Sequence, residues 1–124
     1  MKEKNYLIDS NIIIYHLNND ETAKEFLFNN IDYCAISIVT YIEVLSFNFR
    51  SAYNENIAKV LLDSFRIIDV NIDIATQSVK NRKLKKIKLP DNIIASTAQV
   101  NDLTLVTRNE KDFWSLDIDI LNPW

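Results

Sequence analysis

The chain of 124 residues contains no glycine, and this absence limits the loops that it can form. Glycine adopts positive φ angles at little steric cost, so every left-handed backbone position here must be filled by another residue, of which asparagine is the best suited. The Walker loop and the dinucleotide-binding fingerprint both need glycine for close approach of the backbone to phosphates. The sequence therefore excludes both of these phosphate-binding motifs.

Short apolar runs typical of β-strands alternate with helical segments along the whole chain. This alternation predicts a three-layer α/β/α sandwich with a central, mostly parallel sheet. We predict a single domain over residues 1–124, because the length suits one domain and no linker or repeat interrupts it. The predicted strands cover residues 6–8, 33–36, 66–70, 103–106 and 118–121.

The predicted helices fill the segments between these strands, and polar residues mark their starts. Ser10 is the expected N-cap of the first helix, and Ser37 that of the helix carrying Glu43. Pro90 separates the last two helices, because the residue before a proline avoids helical angles. The predicted helices cover residues 11–17, a segment starting at 20, then 37–50, 54–65, a segment from 73 through the basic residues that follow, and 91–100.

Several classes of protein are disfavoured by composition. No apolar run approaches the ~18–20 residues of a membrane span, and the N-terminus lacks the layout of a signal peptide, so we expect a soluble cytoplasmic protein. Cys34 is the only cysteine and is expected to be a small buried hydrophobe. With His16 as the only histidine, Ser/His or Cys/His catalysis and a structural zinc site are disfavoured.

Four acidic residues lie in apolar settings: Asp9, Glu43, Asp91 and Asp112. Carboxylates are rarely buried unless they are paired or bind a cation, and oxygen ligands suit Mg²⁺ or Mn²⁺. Asp9 and Asp112 follow predicted strands, at the sheet edge where open α/β folds bind ligands. Each acid alone is compatible with a turn or helix-capping role, but the four together favour one shared metal site.

Glu43 is the least easily explained of the four. On its predicted helix it shares a mostly apolar face with Val39, Ser46 and Phe47, and no basic residue lies one turn away. A buried glutamate needs a partner, so a metal ion is the expected one.

The net charge is −3, yet six of the 14 basic residues fall in one short stretch, which leaves eight to balance 17 acidic residues elsewhere. A basic cluster of this kind is typical of a phosphate-contacting surface, and the alternative is a solvated helix face. The basic cluster consists of Lys80, Arg82, Lys83, Lys85, Lys86 and Lys88.

The segments around the four acids resemble motifs of the PIN-domain family, specifically the small VapC-like ribonuclease toxins. The resemblance covers nearly the whole chain, and the last two motifs, in order and about twenty residues apart, are the most specific. One departure is a glycine that the family often places after the Glu helix, where this chain has residues 46–49. The four segments are residues 7–15 (LIDSNIIIY), 37–45 (SIVTYIEVL), 89–98 (LPDNIIASTA) and 105–113 (LVTRNEKDF).

The acids alone support metal-assisted phosphodiester hydrolysis. The resemblance implies more: an Mg²⁺- or Mn²⁺-dependent endoribonuclease that is the toxin of a toxin–antitoxin module, acts on RNA, binds a cognate antitoxin and forms a homodimer. Asp9, Glu43, Asp91 and Asp112 would hold the metal. Residues expected to orient these carboxylates or a water molecule are Ser10, Asn11, Thr107 and Asn109.

The basic cluster is expected to attract the RNA backbone. An antitoxin tail could place a cationic side chain among the acids. The groove for that tail is expected to be formed by Ile12, Ile13, Tyr15 and Phe47.

Three alternatives remain open on the sequence. One is a PIN-like domain that has lost catalysis and binds only RNA or protein, against which the intact acidic set argues. Another is a phosphatase with Asp9 as phosphoryl acceptor, although Asn11 stands where a second aspartate is usual. The third is a phosphoacceptor receiver domain, for which Glu3 and Lys111 are poor matches.

Overall fold

The computed structural model describes residues 5–124, and its centre is a five-stranded sheet. The strands are β1 (Tyr6–Ile8), β2 (Cys34–Ser37), β3 (Arg66–Ile68), β4 (Thr104–Val106) and β5 (Ile120–Leu121). Their order across the sheet is β3-β2-β1-β4-β5, and every neighbouring pair is parallel. Parallel strands need crossover connections, and helices supply them here. The predicted α/β class is confirmed.

Six α-helices and two short 3₁₀ helices lie in the described part of the chain. The α-helices are α1 (Ser10–Leu17), α2 (Glu21–Asn30), α3 (Ile38–Leu45), α4 (Ala52–Leu62), α5 (Ile72–Leu84) and α6 (Leu89–Val100), and the 3₁₀ helices are Ile31–Tyr33 and Glu110–Phe113. None of the described helices has both the length and the apolar character needed to cross a membrane.

The sheet separates two apolar cores, as the three-layer prediction requires. Leu7 faces the core formed with α5 and α6, whereas its neighbour Ile8 faces the core formed with α1, α2 and α4. Both side chains are fully buried, because successive residues of a strand point to opposite faces of the sheet. Cys34 is buried in the second core, as predicted, and its thiol donates to the Asn30 carbonyl at 3.1 Å.

Several predicted boundaries are wrong. Asp9, and not Ser10, is the N-cap of α1. Helix α3 ends at Leu45 and does not reach Arg50, since the chain bends before Ser51 caps α4. Helix α5 ends at Leu84, so the basic cluster lies half on α5 and half on the connection to α6.

Three residues adopt positive φ angles in the described chain: Asn19 (65°), Asp102 (53°) and Ser115 (79°). The prediction that asparagine replaces glycine at such positions holds only for Asn19. Aspartate tolerates this region for the same reason, since a short polar side chain can hydrogen-bond locally. Ser115 lies in the loop between the second 3₁₀ helix and β5.

Helices α5 and α6 are joined by a buried network of polar side chains. The Asn81 amide donates to Asn92 Oδ1 (3.2 Å), Ser96 Oγ (3.0 Å) and Gln99 Oε1 (2.8 Å). The Asn92 amide in turn donates to the Ser78 carbonyl at 2.9 Å. A satisfied buried network of this kind fixes one relative placement of the two helices. It therefore also fixes the first turn of α6, where Asp91 lies.

Candidate active site

Asp9 lies directly after β1, the central strand, and is only 5% exposed. Its Oδ1 accepts a hydrogen bond from the Ser10 backbone N–H (2.8 Å). Its Oδ2 accepts from Thr107 Oγ1 (2.8 Å) and from Asn11 Nδ2 (3.0 Å). Thr107 follows β4, the neighbour of β1, so the parallel sheet brings together two residues 98 positions apart in the chain.

The Asp9 carboxylate is held in an unfavourable electrostatic environment. Burial raises its pKa from 3.8 to about 6, and the nearby charges of Asp91 and Glu43 act in the same direction. The hydrogen bonds from Thr107 and Ser10 only partly oppose this effect. No basic side chain forms an ion pair with Asp9 in residues 5–124, where the single ion pair is the distant Lys59–Asp63.

Glu43 reaches the same region from α3, but it is exposed, so the expectation that it is buried is wrong. The α3 face that carries it faces solvent, and Phe47, expected to share that face, is 52% exposed. Glu43 Oε1 accepts a hydrogen bond from Ser10 Oγ at 2.6 Å, and Ser10 Oγ also lies 3.2 Å from Thr40 Oγ1. Ser10 thereby links α1 to α3 and orients the glutamate beside Asp9.

Asp91 lies in the first turn of α6 and is partly buried. Burial raises its pKa, and the charges of Asp112 and Glu43 raise it further, while Lys88 opposes them. Asp91 therefore interacts electrostatically with each of the other three acids. It is the link that joins Asp112 to the pair formed by Asp9 and Glu43.

Asp112 lies on the 3₁₀ helix Glu110–Phe113 and is exposed, contrary to the buried setting expected from the sequence. Its backbone N–H donates to the Asn109 carbonyl at 3.2 Å. Lys85, on the connection from α5 to α6, stabilises this segment, because its Nζ donates to the carbonyls of Lys111 (3.3 Å) and Trp114 (2.9 Å). One member of the basic cluster thus positions an acidic residue.

The four predicted acids are brought into one electrostatic cluster, although only Asp9 is deeply buried. Among residues 5–124, no three acidic, histidine or cysteine side chains are close enough together to hold one ion. Mutual repulsion is a sufficient reason for exposed carboxylates to stay apart. Glu43 and Asp112 are both exposed, so neither carboxylate is held by burial as Asp9 is.

Two observations show that a divalent cation suits this donor set. First, the cluster carries several carboxylates, none of which has an ion-pair partner among residues 5–124, and only Lys88 offsets part of their charge. Second, the side-chain Oδ1 of Asn11 is buried without a hydrogen-bond partner. That oxygen lies beside Asp9, because the Nδ2 of the same amide is bonded to Asp9 Oδ2. An orphaned acceptor next to carboxylates suits a cation or a water molecule bound to one.

The four predicted orienting residues differ in what they contact. Ser10, Asn11 and Thr107 all contact one of the acids, as described above. Asn109 contacts Thr107 through its backbone, whose N–H donates to Thr107 Oγ1 at 3.0 Å. Among residues 5–124, its side chain forms no hydrogen bond with the acids. The structure therefore gives Asn109 a role in fixing the loop after β4.

The basic cluster is divided among several environments. Lys80, Arg82 and Lys83 are exposed on α5, and Lys86 and Lys88 are exposed on the connection to α6. Lys85 is half-buried and occupied by the two carbonyls of the Asp112 segment. Lys88 acts electrostatically on Asp91 and lowers its pKa.

The groove expected beside the site has a different lining. Ile12 and Ile13 are fully buried in the core and line no surface. A pocket of about 570 Å³ lies farther along α1; Phe47 is on its wall, whereas Tyr15 is not. Its other apolar walls are Ile14, Leu17, Phe49 and Ile57.

Arg108 is a residue that the sequence analysis missed. Its guanidinium carbon lies 5.1 Å from the centre of the Tyr15 ring and 4.7 Å from that of Trp124. The three residues are distant in sequence, so no local pattern predicts their contact. The available signal was the position of Arg108, directly after Thr107 and within the motif that carries Asp112.

Comparison with known proteins agrees with the motifs and the sheet order. The family model for the PIN domain matches residues 6–118. The chain belongs to the PIN-domain family. The predicted family and fold are thus confirmed, and the acids of this PIN domain lie at the carboxyl edge of the sheet, as predicted for Asp9 and Asp112.

The matches between this PIN domain and individual relatives extend over most of both chains. "Ribonuclease VapC10" of Mycobacterium tuberculosis is 33% identical over 110 residues, which are 83% of this chain and 81% of that protein. In a toxin–antitoxin complex from Klebsiella pneumoniae, a chain 36% identical superposes with a TM-score of 0.83, covering 96% of this chain and 98% of that one. A chain of DNA-bound VapBC from Salmonella typhimurium superposes with a TM-score of 0.85 over the whole of both chains. At 22% identity, this match supports the fold alone.

Proposed function

We propose that this PIN domain is a metal-dependent endoribonuclease, the toxin of a toxin–antitoxin pair, acting on RNA in the cytoplasm. The observation that carries the proposal is the acidic cluster centred on Asp9, in which neighbouring acids raise the pKa of Asp9 and of Asp91, in a chain of this family. The relatives named ribonuclease and toxin–antitoxin complex support the substrate and the biological role.

Asp9, Glu43, Asp91 and Asp112 would hold Mg²⁺ or Mn²⁺. When bound, the metal supplies a polarised phosphate and an attacking water of lowered pKa. The protein contributes orientation: Thr107 and Asn11 hold Asp9 Oδ2 through hydrogen bonds, and Ser10 holds Glu43. Asn11 Oδ1, which has no hydrogen-bond partner among residues 5–124, is placed to accept a hydrogen bond from a water molecule at the site.

The exposed members of the basic cluster would contact the RNA backbone. Lys86 and Lys88 lie at the α6 end nearest Asp91, so they are the members best placed to contact phosphates beside the acids. Such contacts release counterions and make RNA binding depend on salt. Lys85 would contribute indirectly, since its ammonium group is bonded to the carbonyls of the Asp112 segment.

The partners would be an antitoxin and a second copy of the chain. The Phe47 pocket has apolar walls and is lined in part by α1, the helix that begins at Asp9. An antitoxin tail could therefore fill the pocket while one of its cationic side chains pairs with the acids. For a homodimer, α5 and the start of α6 offer an exposed apolar surface. That surface comprises Val70, Ile72, Val79, Leu84 and Leu89, all at least 42% exposed.

The decisive experiment measures cleavage of single-stranded and structured RNA with Mn²⁺, Mg²⁺ or EDTA. Glu43→Gln, Asp91→Asn and Asp112→Asn should each lower kcat by at least about a hundredfold while retaining the wild-type circular dichroism spectrum. His16→Ala is the matched control, because burial lowers the pKa of His16 and it contacts none of the four acids.

Two outcomes would overturn parts of the proposal. If EDTA leaves cleavage unchanged, or His16→Ala abolishes cleavage and Asp91→Asn does not, the metal-dependent mechanism is wrong. Expression of the wild type should arrest bacterial growth, and expression of Asp112→Asn should not. Harmless expression of a wild type that is active in vitro would remove the toxin role and leave the nuclease role standing.

A further inference from the structure

Arg108 packs its guanidinium against two aromatic rings, those of Tyr15 on α1 and Trp124 after β5. The Tyr15 and Trp124 ring centres are 5.2 Å apart, with the rings tilted by 58°, and the Arg108 guanidinium carbon lies 5.1 Å and 4.7 Å from them. Contacts of this kind attract the cation through the ring faces and restrict its rotation. The side chain is therefore pre-organised even though it is exposed.

The charge of Arg108 is unpaired despite the nearby acids. The single ion pair in the described residues joins Lys59 and Asp63, and the Arg108 side chain makes no hydrogen bond there. A guanidinium presents five N–H donors in a planar fork that matches a phosphate or carboxylate. No side chain or backbone oxygen among residues 5–124 accepts a hydrogen bond from these donors, so they remain available to a ligand.

Arg108 follows directly after a residue that holds Asp9, the central carboxylate of the proposed active site. Its neighbour Thr107 donates to Asp9 Oδ2 at 2.8 Å. Its ring partner Tyr15 lies four residues after Asn11 on the same face of α1, about 6 Å along the helix axis, and Asn11 also donates to Asp9. Arg108 is thus next in sequence to one residue that holds the Asp9 carboxylate, and it contacts a ring on the helix that carries another.

The basic cluster lies on the other side of these acids. Tyr15 packs against the core formed by α1, α2 and α4, whereas Lys86 and Lys88 connect α5 to α6, on the opposite face of the sheet. A polynucleotide crossing the carboxyl edge of the sheet would pass from the lysines over the acids to Arg108. A fixed cation at the exit of such a path suits a backbone phosphate.

We propose that Arg108 binds a phosphodiester of single-stranded RNA adjacent to the one that is cleaved, with Tyr15 and Trp124 holding its guanidinium in place. This inference rests on the proposed ribonuclease function. Arg108 is a substrate-positioning residue in this account: it lowers KM for RNA and takes no part in the chemical step. A purely structural clamp between α1 and the segment after β5 is the competing role.

The test compares Arg108→Gln and Arg108→Lys with Arg66→Gln, a matched control at the exposed start of β3, away from the carboxyl edge of the sheet. Arg108→Gln should raise KM about tenfold, the effect of losing one charge-assisted contact, with kcat little changed. The KM of Arg108→Lys should lie between those of the wild type and Arg108→Gln, because lysine keeps the charge without the planar fork. Trp124→Leu should raise KM while keeping the charge.

Binding is measured separately in a Glu43→Gln background, so that labelled single-stranded RNA is not cut. There Arg108→Gln should weaken binding and reduce the slope of log K against log salt by about 0.7, with no change for Arg66→Gln. Melting temperatures identify the competing role. A lowered melting temperature with unchanged KM and salt slope would overturn the phosphate assignment and establish the clamp.

The two levels of inference fail in different ways. If the wild type cleaves RNA and Arg108→Gln has wild-type KM and salt slope, Arg108 is no phosphate ligand and the nuclease function stands. If the wild type cleaves no RNA but the Glu43→Gln protein binds it through Arg108, the positioning role survives as an RNA-binding one. Absence of any RNA binding overturns both.

Discussion

Asp9 combines the strongest hydrogen bonding of the site with its most unfavourable charge. Three donors fix its two oxygens, yet burial and the neighbouring acids raise its pKa to about 6. The ionised carboxylate therefore lowers the stability of the metal-free protein. A divalent cation removes that penalty, so the residue that most favours metal binding is also the one that makes the metal-free fold sensitive to pH.

The pH dependence follows from the raised pKa. Between pH 4 and 6 the folded protein keeps a proton on Asp9 that the unfolded chain, with a value near 3.8, has released. The unfolded state then binds fewer protons, so stability falls as pH rises through this window and levels off above it. We expect ionisation of Asp9 to lower the free energy of unfolding of the metal-free protein by about 3 kcal/mol.

Urea unfolding in EDTA across pH 4 to 7 measures this contribution as the difference between wild type and Asp9→Asn. Asp69→Asn, an exposed carboxylate beyond β3, should reproduce the wild-type curve. Saturating Mn²⁺ should restore the stability lost by the wild type near pH 7 and should restore little in Asp9→Asn. Parallel curves for wild type and Asp9→Asn would contradict the raised pKa.

At the scale of elements, the connection from α5 to α6 carries two functions in one run of lysines. The Lys85 ammonium group is bonded to carbonyls on either side of Asp112, whereas Lys86 is exposed one residue later. Their identical charge hides this difference in the sequence. The basic cluster is thus part support for the acidic site and part free surface.

Lys85→Met and Lys86→Met should separate the two functions. Lys85→Met loses two hydrogen bonds, so it should lower stability by about 1 kcal/mol and lower kcat by loosening the Asp112 segment. Lys86→Met should leave stability within about 0.5 kcal/mol of wild type and reduce the salt slope of RNA binding by about 0.7. Unfolding curves, kinetics and salt titrations check both, and identical profiles would refute the division.

The sequence predicted the elements of this fold far better than the side-chain environments. Strand–helix alternation was sufficient for the layers, because burial on both faces of a parallel sheet leaves a local signature. The exposure of Glu43 was missed, since only Thr40 and Val44 of its helix are buried and an apolar neighbour such as Phe47 is itself exposed. The Arg108 contacts with Tyr15 and Trp124 were missed because they depend on the order of strands, which no local pattern specifies.

At the scale of the whole molecule, the exposed apolar surface of α5 and the start of α6 is large for a chain that remains monomeric. Val79 and Leu84 are 57% and 70% exposed, and contiguous surfaces of this kind mark protein interfaces. We expect the wild type to elute as a dimer in size-exclusion chromatography with light scattering. Val79→Glu with Leu84→Glu should convert it to a monomer, whereas Val60→Glu, on α4, should not. A monomeric wild type at micromolar concentration would refute this interface.

The sheet order also affects when the site can exist. β1 has β4 as a neighbour, and Asp9 takes a hydrogen bond from a residue 98 positions later. During translation the chain emerges from its N-terminus at roughly 5–20 residues per second. A ribosome that has made α1, α3 and α6 has made three of the acids but neither Thr107 nor Asp112. The nascent protein is therefore without a complete acidic site until the segment after β4 has been made, so no activity of the site can begin before that point of synthesis.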